Sequence, residues 1–414
     1  MFLLALAVRL VFLGAHPRPL HSDEIDYDRL GWTLANTGRY AEGGHPTAYR
    51  PVGYPAVIAA VYALAGRSPD MVKVVQAVLD SGTALLLVIL FGRRNRAAGL
   101  LAGLTWALLP ASVLFSSQLF AECVLVFALT LFVLVVDSES HSKARSVGAG
   151  LLLGGMILLR PNVAGLFAAA IPFALHRSRR TLILALALLP VGLWMLRNAL
   201  VLGAPVLTTS MGVNLFIGNH TRATGSYAPI DPAVAPPSGR TELEADAAAG
   251  RAAVEEIRRE PGRALIRAGK KVLFLLTSEG ELVVGHFAGS STEGKRYGER
   301  FRSVSPWLHF LVSLPSALVM VLGTLALATR RAEVRERLFY ALLLATVVSC
   351  VIFFGGSRFR FPLMALLVGF AAELVMGRSK PPGDRKLGLL AAWVIVSLCL
   401  AVWAGEWAVL AAPH

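Results

Sequence analysis

The chain has 414 residues, of which 55% are hydrophobic and only 16% charged, and its mean hydropathy is +0.62. A soluble globule averages about 45–50% apolar and about 25% charged residues, so the composition excludes a soluble enzyme and indicates a lipid environment. The net charge of +14 does not imply nucleic acid, because the basic residues form short clusters between apolar runs and no aromatic-interleaved basic stripe is present.

Residues 1–15 read as a crossing helix whose start lies upstream of Met1. They lack the basic n-region of a signal peptide, and Arg9 interrupts the apolar stretch. Residues 16–51 form a first external loop, with apolar positions 27, 30 and 34 and Trp32 spaced for an amphipathic helix over 26–37. Residues 52–66 are short for a span of about 20 residues, and a crossing there would put Arg93, Arg94 and Arg96 outside. The segment is therefore predicted to be interfacial or re-entrant, with 71–91 crossing inward.

Residues 97–115 and 119–136 then pair as two spans, 147–159 and 163–175 as two shorter ones split at Arg160-Pro161, and 181–199 exits. Residues 201–305 are predicted to lie outside. They open with Pro229, Pro232, Pro236 and Pro237 and continue as a charged helix over 241–259, acidic at its start and ending in Arg258-Arg259. A basic, apolar helix follows over 264–276, suited to the headgroup layer, with Lys270 and Lys271 as headgroup contacts. Spans at 306–328, 338–354, 362–376 and 387–409 complete the chain.

Four clusters share one side by this count: Arg93, Arg94 and Arg96; Arg177, Arg179 and Arg180; Arg330, Arg331, Arg335 and Arg337; and Arg378, Lys380, Arg385 and Lys386. The expected fold is all-α, one polytopic transmembrane bundle over 1–414 of about eleven spans. It is placed in the cell (inner) membrane with its chemistry on the non-cytoplasmic face.

Cys123, Cys350 and Cys399 lie in apolar runs and read as small lipid-phase hydrophobes. His45, His220 and His286 show no metal-ligand spacing. Trp106, Trp194, Trp307, Trp393, Trp403 and Trp407 read as interface anchors. Glu122, at the start of an inward span, fits either a cavity wall or the outer interface.

The chemistry concentrates in His21-Ser22-Asp23-Glu24-Ile25-Asp26-Tyr27, just beyond the first span. Partly desolvated carboxylates there could take a proton from a hydroxyl or hold a divalent cation, and otherwise are simply solvated. Metal use stays open.

Further along come Thr37-Gly38-Arg39-Tyr40, Pro46-Thr47-Ala48-Tyr49-Arg50-Pro51-Val52-Gly53-Tyr54-Pro55, Leu159-Arg160-Pro161 and Ser357-Arg358-Phe359-Arg360-Phe361-Pro362. In this order the motifs resemble the GT-C class of membrane glycosyltransferases, in the group of protein O-mannosyltransferases and lipid A aminoarabinose transferases. The resemblance implies a polyprenyl-phosphate sugar as donor, work at the non-cytoplasmic face, and Asp23 as the catalytic acidic position with Glu24 beside it. It places Arg50 near the donor phosphate and Arg358 and Arg360 as a basic pair in the last external turn. Tyr27, Tyr49 and Tyr54 are further substrate-binding candidates, and Arg160, between two short helices at the outer face, is a substrate-binding candidate standing behind the residues that touch the substrate. Many members carry an additional soluble domain, so the acceptor (protein, lipid or glycan) is left open.

Elementary chemistry supports these roles. Displacing a sugar from a lipid phosphate leaves added negative charge on the phosphate, which fixed guanidiniums stabilise bidentately. A single displacement assisted by one carboxylate base inverts the anomeric carbon. Snorkelling to headgroups is the bland alternative for Arg50, whereas an outside Arg358/Arg360 pair beside an apolar helix favours a bound anion. The competing functions are a transporter or lipid flippase, disfavoured by sparse charge within the spans, and a non-catalytic scaffold.

Overall fold

The computed structural model describes residues 1–138, 142–175, 177–230, 232–236, 239, 241–289, 297–329, 332–377 and 386–411. Arg330, Arg331, Arg378, Lys380 and Arg385 of the basic clusters, and Pro237, lie outside the described residues. The described chain is almost wholly helical; its named strands are a two-residue antiparallel pair, β1 (Ala41–Glu42) and β2 (His45–Pro46), turned through Gly43-Gly44.

α1 (Phe2–Ala15) leads into α2 (Asp23–Thr37), which begins three residues earlier than the apolar spacing predicts and takes the acidic motif out of the loop. Asp23, Glu24 and Asp26 fill its first turn, where the helix dipole favours negative charge. Gly38 at φ 67° closes it in a left-handed turn, a conformation that favours glycine. α3 (Gly53–Ala65) packs along α2, at the segment predicted to be interfacial.

α4 (Pro69–Gly92) starts with Ser68 capping the Met71 N–H at 3.3 Å and Pro69 in the first turn. The next run divides into α5 (Arg96–Leu108) and α6 (Pro110–Ser116), bent by 55°. Leu109, preceding a proline, is extended, and the ring takes no part in the helix ladder. The carbonyls left at that break find Arg9, which donates to Ala107 O at 3.0 Å and Trp106 O at 3.3 Å and pairs with Asp80. Arg9 and Asp80 are both fully buried, so the cation that interrupts the first apolar run is the clasp of a broken helix.

Trp106 is likewise not an interface anchor. It is fully buried, donates to Asp80 at 3.1 Å and stacks toward Phe361. Trp403 is 8% exposed and donates to Leu276 O, whereas Trp307 and Trp393 are exposed as an anchor requires.

α7 (Glu122–Val136), α8 (Lys143–Leu159), α9 (Pro161–Ala174) and α10 (Arg177–Leu202) follow, with α8 packed on α10 and α9 on a later helix, α17 (Val334–Ile352). The stretch predicted to be external holds α11 (Met211–Asn219), α12 (Glu242–Arg259, capped by Thr241), α13 (Pro261–Leu275), α14 (Gly280–Phe287) and α15 (Tyr297–Arg302). Lys270 is exposed, but Lys271 is buried and donates to Asn219 Oδ1 (2.8 Å) and Val351 O (2.9 Å). It caps the end of α17 instead of meeting headgroups.

α16 (Pro306–Ala328), α18 (Phe361–Val375) and α19 (Lys386–Ala411) complete the bundle, and the core runs through Phe91, Phe339 and Phe370, packed edge to face. Three described helices, α4, the 180–202 part of α10, and α16, are long and apolar enough to cross a bilayer, or four if the bent α5–α6 pair is one span. The protein is integral to the membrane. Other apolar helices are 10–17 residues long, so helix length alone does not reach about eleven spans.

Candidate active site

Four separate parts of the chain bring charged groups to one cavity, and a fifth sets a buried carboxylate, Glu122, behind them. Asp23 opens α2, Arg50 follows β2, Glu122 opens α7, Arg160 stands between α8 and α9, and Arg358 lies in the 3-10 turn Ser357–Arg360 ahead of α18. The cavity measures about 810 Å³ and is lined by Asp23, Tyr27, Tyr49, Arg50, Arg160 and Arg358 among others, with α11 and Tyr227 on another wall.

The groups form a continuous chain of opposite charges. Arg50 donates to Asp23 Oδ1 at 2.8 Å and to Asp26 Oδ2 at 2.7 Å. Arg358 stands 3.4 Å from the other Asp23 oxygen and also donates to Glu122, which in turn accepts from Arg160. Aromatic faces back the cations: Arg50 lies 5.3 Å from the Tyr49 ring centre and 5.7 Å from Tyr27, Arg160 5.5 Å from Phe359, and Arg358 4.0 Å from Phe120. Burial raises the Asp23 pKa, but Arg50, Arg358 and Arg160 together outweigh it and leave the carboxyl below its ordinary value.

The surrounding chain fixes this geometry. Tyr40 donates to Arg50 O at 2.9 Å, and Glu242 at the start of α12 accepts from Thr47 and the Ala48 N–H. The Arg358 turn is held by a parallel bridge between Ser226 and Gly355, with Gly355 N–H donating to Gly225 O at 2.9 Å.

Three expected site residues do not line the cavity. Glu24 is fully buried on a different side of α2 from Asp23. It accepts both Arg18 nitrogens (2.6 and 2.8 Å) and the backbone N–H of His21 and Leu119, which ties the first loop to the segment before α7. Burial raises its pKa, and the His21 and Arg18 bonds overcome that and hold it down to about 2. Tyr54 is buried, donates to Gln76 and supports Tyr27 edge to face at 5.0 Å. Arg360 is buried against Glu279 (2.8 Å) and the carbonyls of Leu275 and Thr277, so it does not form an anion-binding pair with Arg358.

The structure adds Asp26 and Glu122 as partners of the cavity arginines, and Glu281 and Arg300, 3.8 Å apart, on the wall near His21. Asp26 had a signal in the sequence, since it falls three residues after Asp23 on one helix face. Among the described residues no three His, Cys, Asp or Glu side chains gather as a metal site.

No family model matches the sequence, and no curated protein matches it. Among solved structures, the chain is similar at TM-score 0.41 and 14% identity to ArnT from Cupriavidus metallidurans in the apo state, over 91% of this chain and 77% of that one. ArnT bound to undecaprenyl phosphate gives 0.37 and 15%, over the same shares. The oligosaccharyltransferase AglB from Archaeoglobus fulgidus, in complex with an inhibitory peptide and a dolichol-phosphate, gives 0.42 and 14% over 99% of this chain, which spans 56% of that protein. Likenesses at these scores are ones of outline.

Proposed function

We propose that this chain is a GT-C-type glycosyltransferase that moves a sugar from a polyprenyl-phosphate donor to an acceptor hydroxyl at the non-cytoplasmic face of the cell membrane, with inversion. The observation that carries the reading is the convergence of Asp23 and the guanidiniums of Arg50, Arg160 and Arg358 on one cavity in a membrane protein. Each of these residues lies in a motif of the sequence resemblance.

In this reaction the donor phosphate lies against Arg50, Arg160 and Arg358. The acceptor oxygen attacks the anomeric carbon, the carbon–oxygen bond to phosphate breaks, and its electron pair leaves on the phosphate. The guanidiniums meet that developing charge in place, without reorganisation. Asp23, held ionised by the same cations, takes the hydroxyl proton. A phosphate that engages Arg50 and Arg358 draws them from Asp23 and returns basicity to it when the proton must be taken. Tyr27 and Tyr49 wall the pocket beside Arg50, and the acceptor can be a protein, lipid or glycan hydroxyl.

The test is to incubate purified protein in detergent with a panel of polyprenyl-phosphate sugars and acceptors and to measure release of polyprenyl phosphate. Release without any gradient or second compartment is expected, with inverted product and a loss of about 10²–10⁴-fold in Asp23→Asn. Retained configuration, or full activity of a folded Asp23→Asn variant, contradicts the mechanism.

A further inference from the structure

The three cavity arginines are matched by three carboxylates: Arg50 by Asp23 and Asp26, Arg358 by Asp23 and Glu122, and Arg160 by Glu122. Only Asp23 is needed as a base. Glu122 is 1% exposed and is shared between two guanidiniums, while Asp26, with its side chain a third exposed, accepts from both Nε and Nη2 of Arg50. Burying a carboxylate between two cations that should grip a phosphate weakens that grip, so these two acids call for an account of their own.

Resting on the proposed reaction, we infer that Glu122 and Asp26 are positioning residues that discharge the phosphate-binding arginines so that the polyprenyl phosphate product can leave. The chemistry of the leaving group gives the reason. The donor is a phosphodiester with one negative charge, whereas the product is a monoester carrying about −1.5 to −2 at neutral pH. Three unopposed guanidiniums would bind the product more tightly than the donor and stall turnover on release. Once Asp23 has taken the proton, Asp26 and Glu122 still cancel two of the three guanidinium charges, so the added charge of the product meets one net positive charge in place of three. The carboxylates also fix the directions of the guanidiniums, which like charges cannot do for one another.

The two functions of Glu122 and Asp26 make opposite predictions. If they only hold arginines in place, removing their charge loosens the site and weakens phosphate binding. If they discharge it, removal strengthens binding. The probe is farnesyl phosphate, with its methyl diester as the singly charged control, titrated against purified wild-type protein, Glu122→Gln and Asp26→Asn in detergent.

The expected result is about tenfold tighter binding of the monoester in each variant, from loss of one nearby like charge, with a smaller change for the diester. Asp26→Asn changes a partly exposed side chain, so the test does not depend on Glu122→Gln folding. Unchanged or weaker monoester binding in folded Asp26→Asn overturns the inference alone. Failure of the wild type to bind the monoester overturns both the inference and the phosphate site on which it rests.

Discussion

Arg358 and Arg360 read as a pair in the sequence and part company in the structure. They sit two apart in a 3-10 turn, where residues two apart do not share a face. One guanidinium therefore enters the cavity and the other turns back to Glu279. Arg358→Gln is expected to fold as the wild type and lose polyprenyl-phosphate binding. Arg360→Gln leaves Glu279 buried without its cation, which costs about 3–5 kcal/mol, and is expected to lower the unfolding temperature in detergent.

Glu24 is separated from Asp23 in the same way, because adjacent helical residues point about 100° apart. Its carboxyl is held down to about 2 from an ordinary 4.5. A depressed folded-state value means the stabilisation is complete above 4.5 and is lost as pH falls toward 2, a contribution of the order of 3 kcal/mol. Thermal unfolding across this window should show the wild type losing stability on acidification. Glu24→Gln should start less stable and show a flatter dependence.

At the scale of elements, the sequence reveals most helices and hides how they end. The charged helix over 241–259 appears with the expected charge order as α12, with Thr241 as its cap, and 306–328 is α16. The acidic motif is missed as a helix because apolar spacing is blind to a first turn made of Asp23, Glu24, Ile25 and Asp26. Arg9 has no visible partner in the sequence, since Asp80 and the carbonyls at the Leu109-Pro110 break are joined to it only by packing.

The Arg358 turn depends on an equally invisible contact: a Cβ on Gly355 would stand 1.9 Å from the carbonyl oxygen of Lys271 in α13. Backbone on both sides leaves no rotamer to absorb the clash. Gly355→Ala is expected to detach the turn, lowering both the unfolding temperature and farnesyl phosphate binding. A variant that keeps both contradicts this role for the contact.

For the molecule as a whole, composition makes the membrane legible and the Arg-rich clusters give a direction, but depth and crossing number depend on helix tilt and breaks that periodicity does not record. The proposed orientation puts the α2–β1 segment outside and the end of α7 inside. The native cysteines are all buried, which keeps background labelling low. An impermeant maleimide applied to intact cells should label Arg39→Cys and spare Ser138→Cys until the membrane is opened; the reverse pattern inverts the topology and removes the active site from the outer face.

Asp23 and Arg50 belong to neighbouring motifs in the segment 16–51, whereas Arg160 and Arg358 reach them only through folding, so the site as a whole becomes visible in three dimensions. Its central feature is the point where these four side chains face one another. The most direct measurement is an experimental structure of the protein with bound polyprenyl phosphate. The account predicts phosphate oxygens on Arg50, Arg160 and Arg358, with the Asp23 carboxylate across from them and room for a sugar between. A phosphate seated elsewhere, with these arginines still paired only to carboxylates, would contradict it.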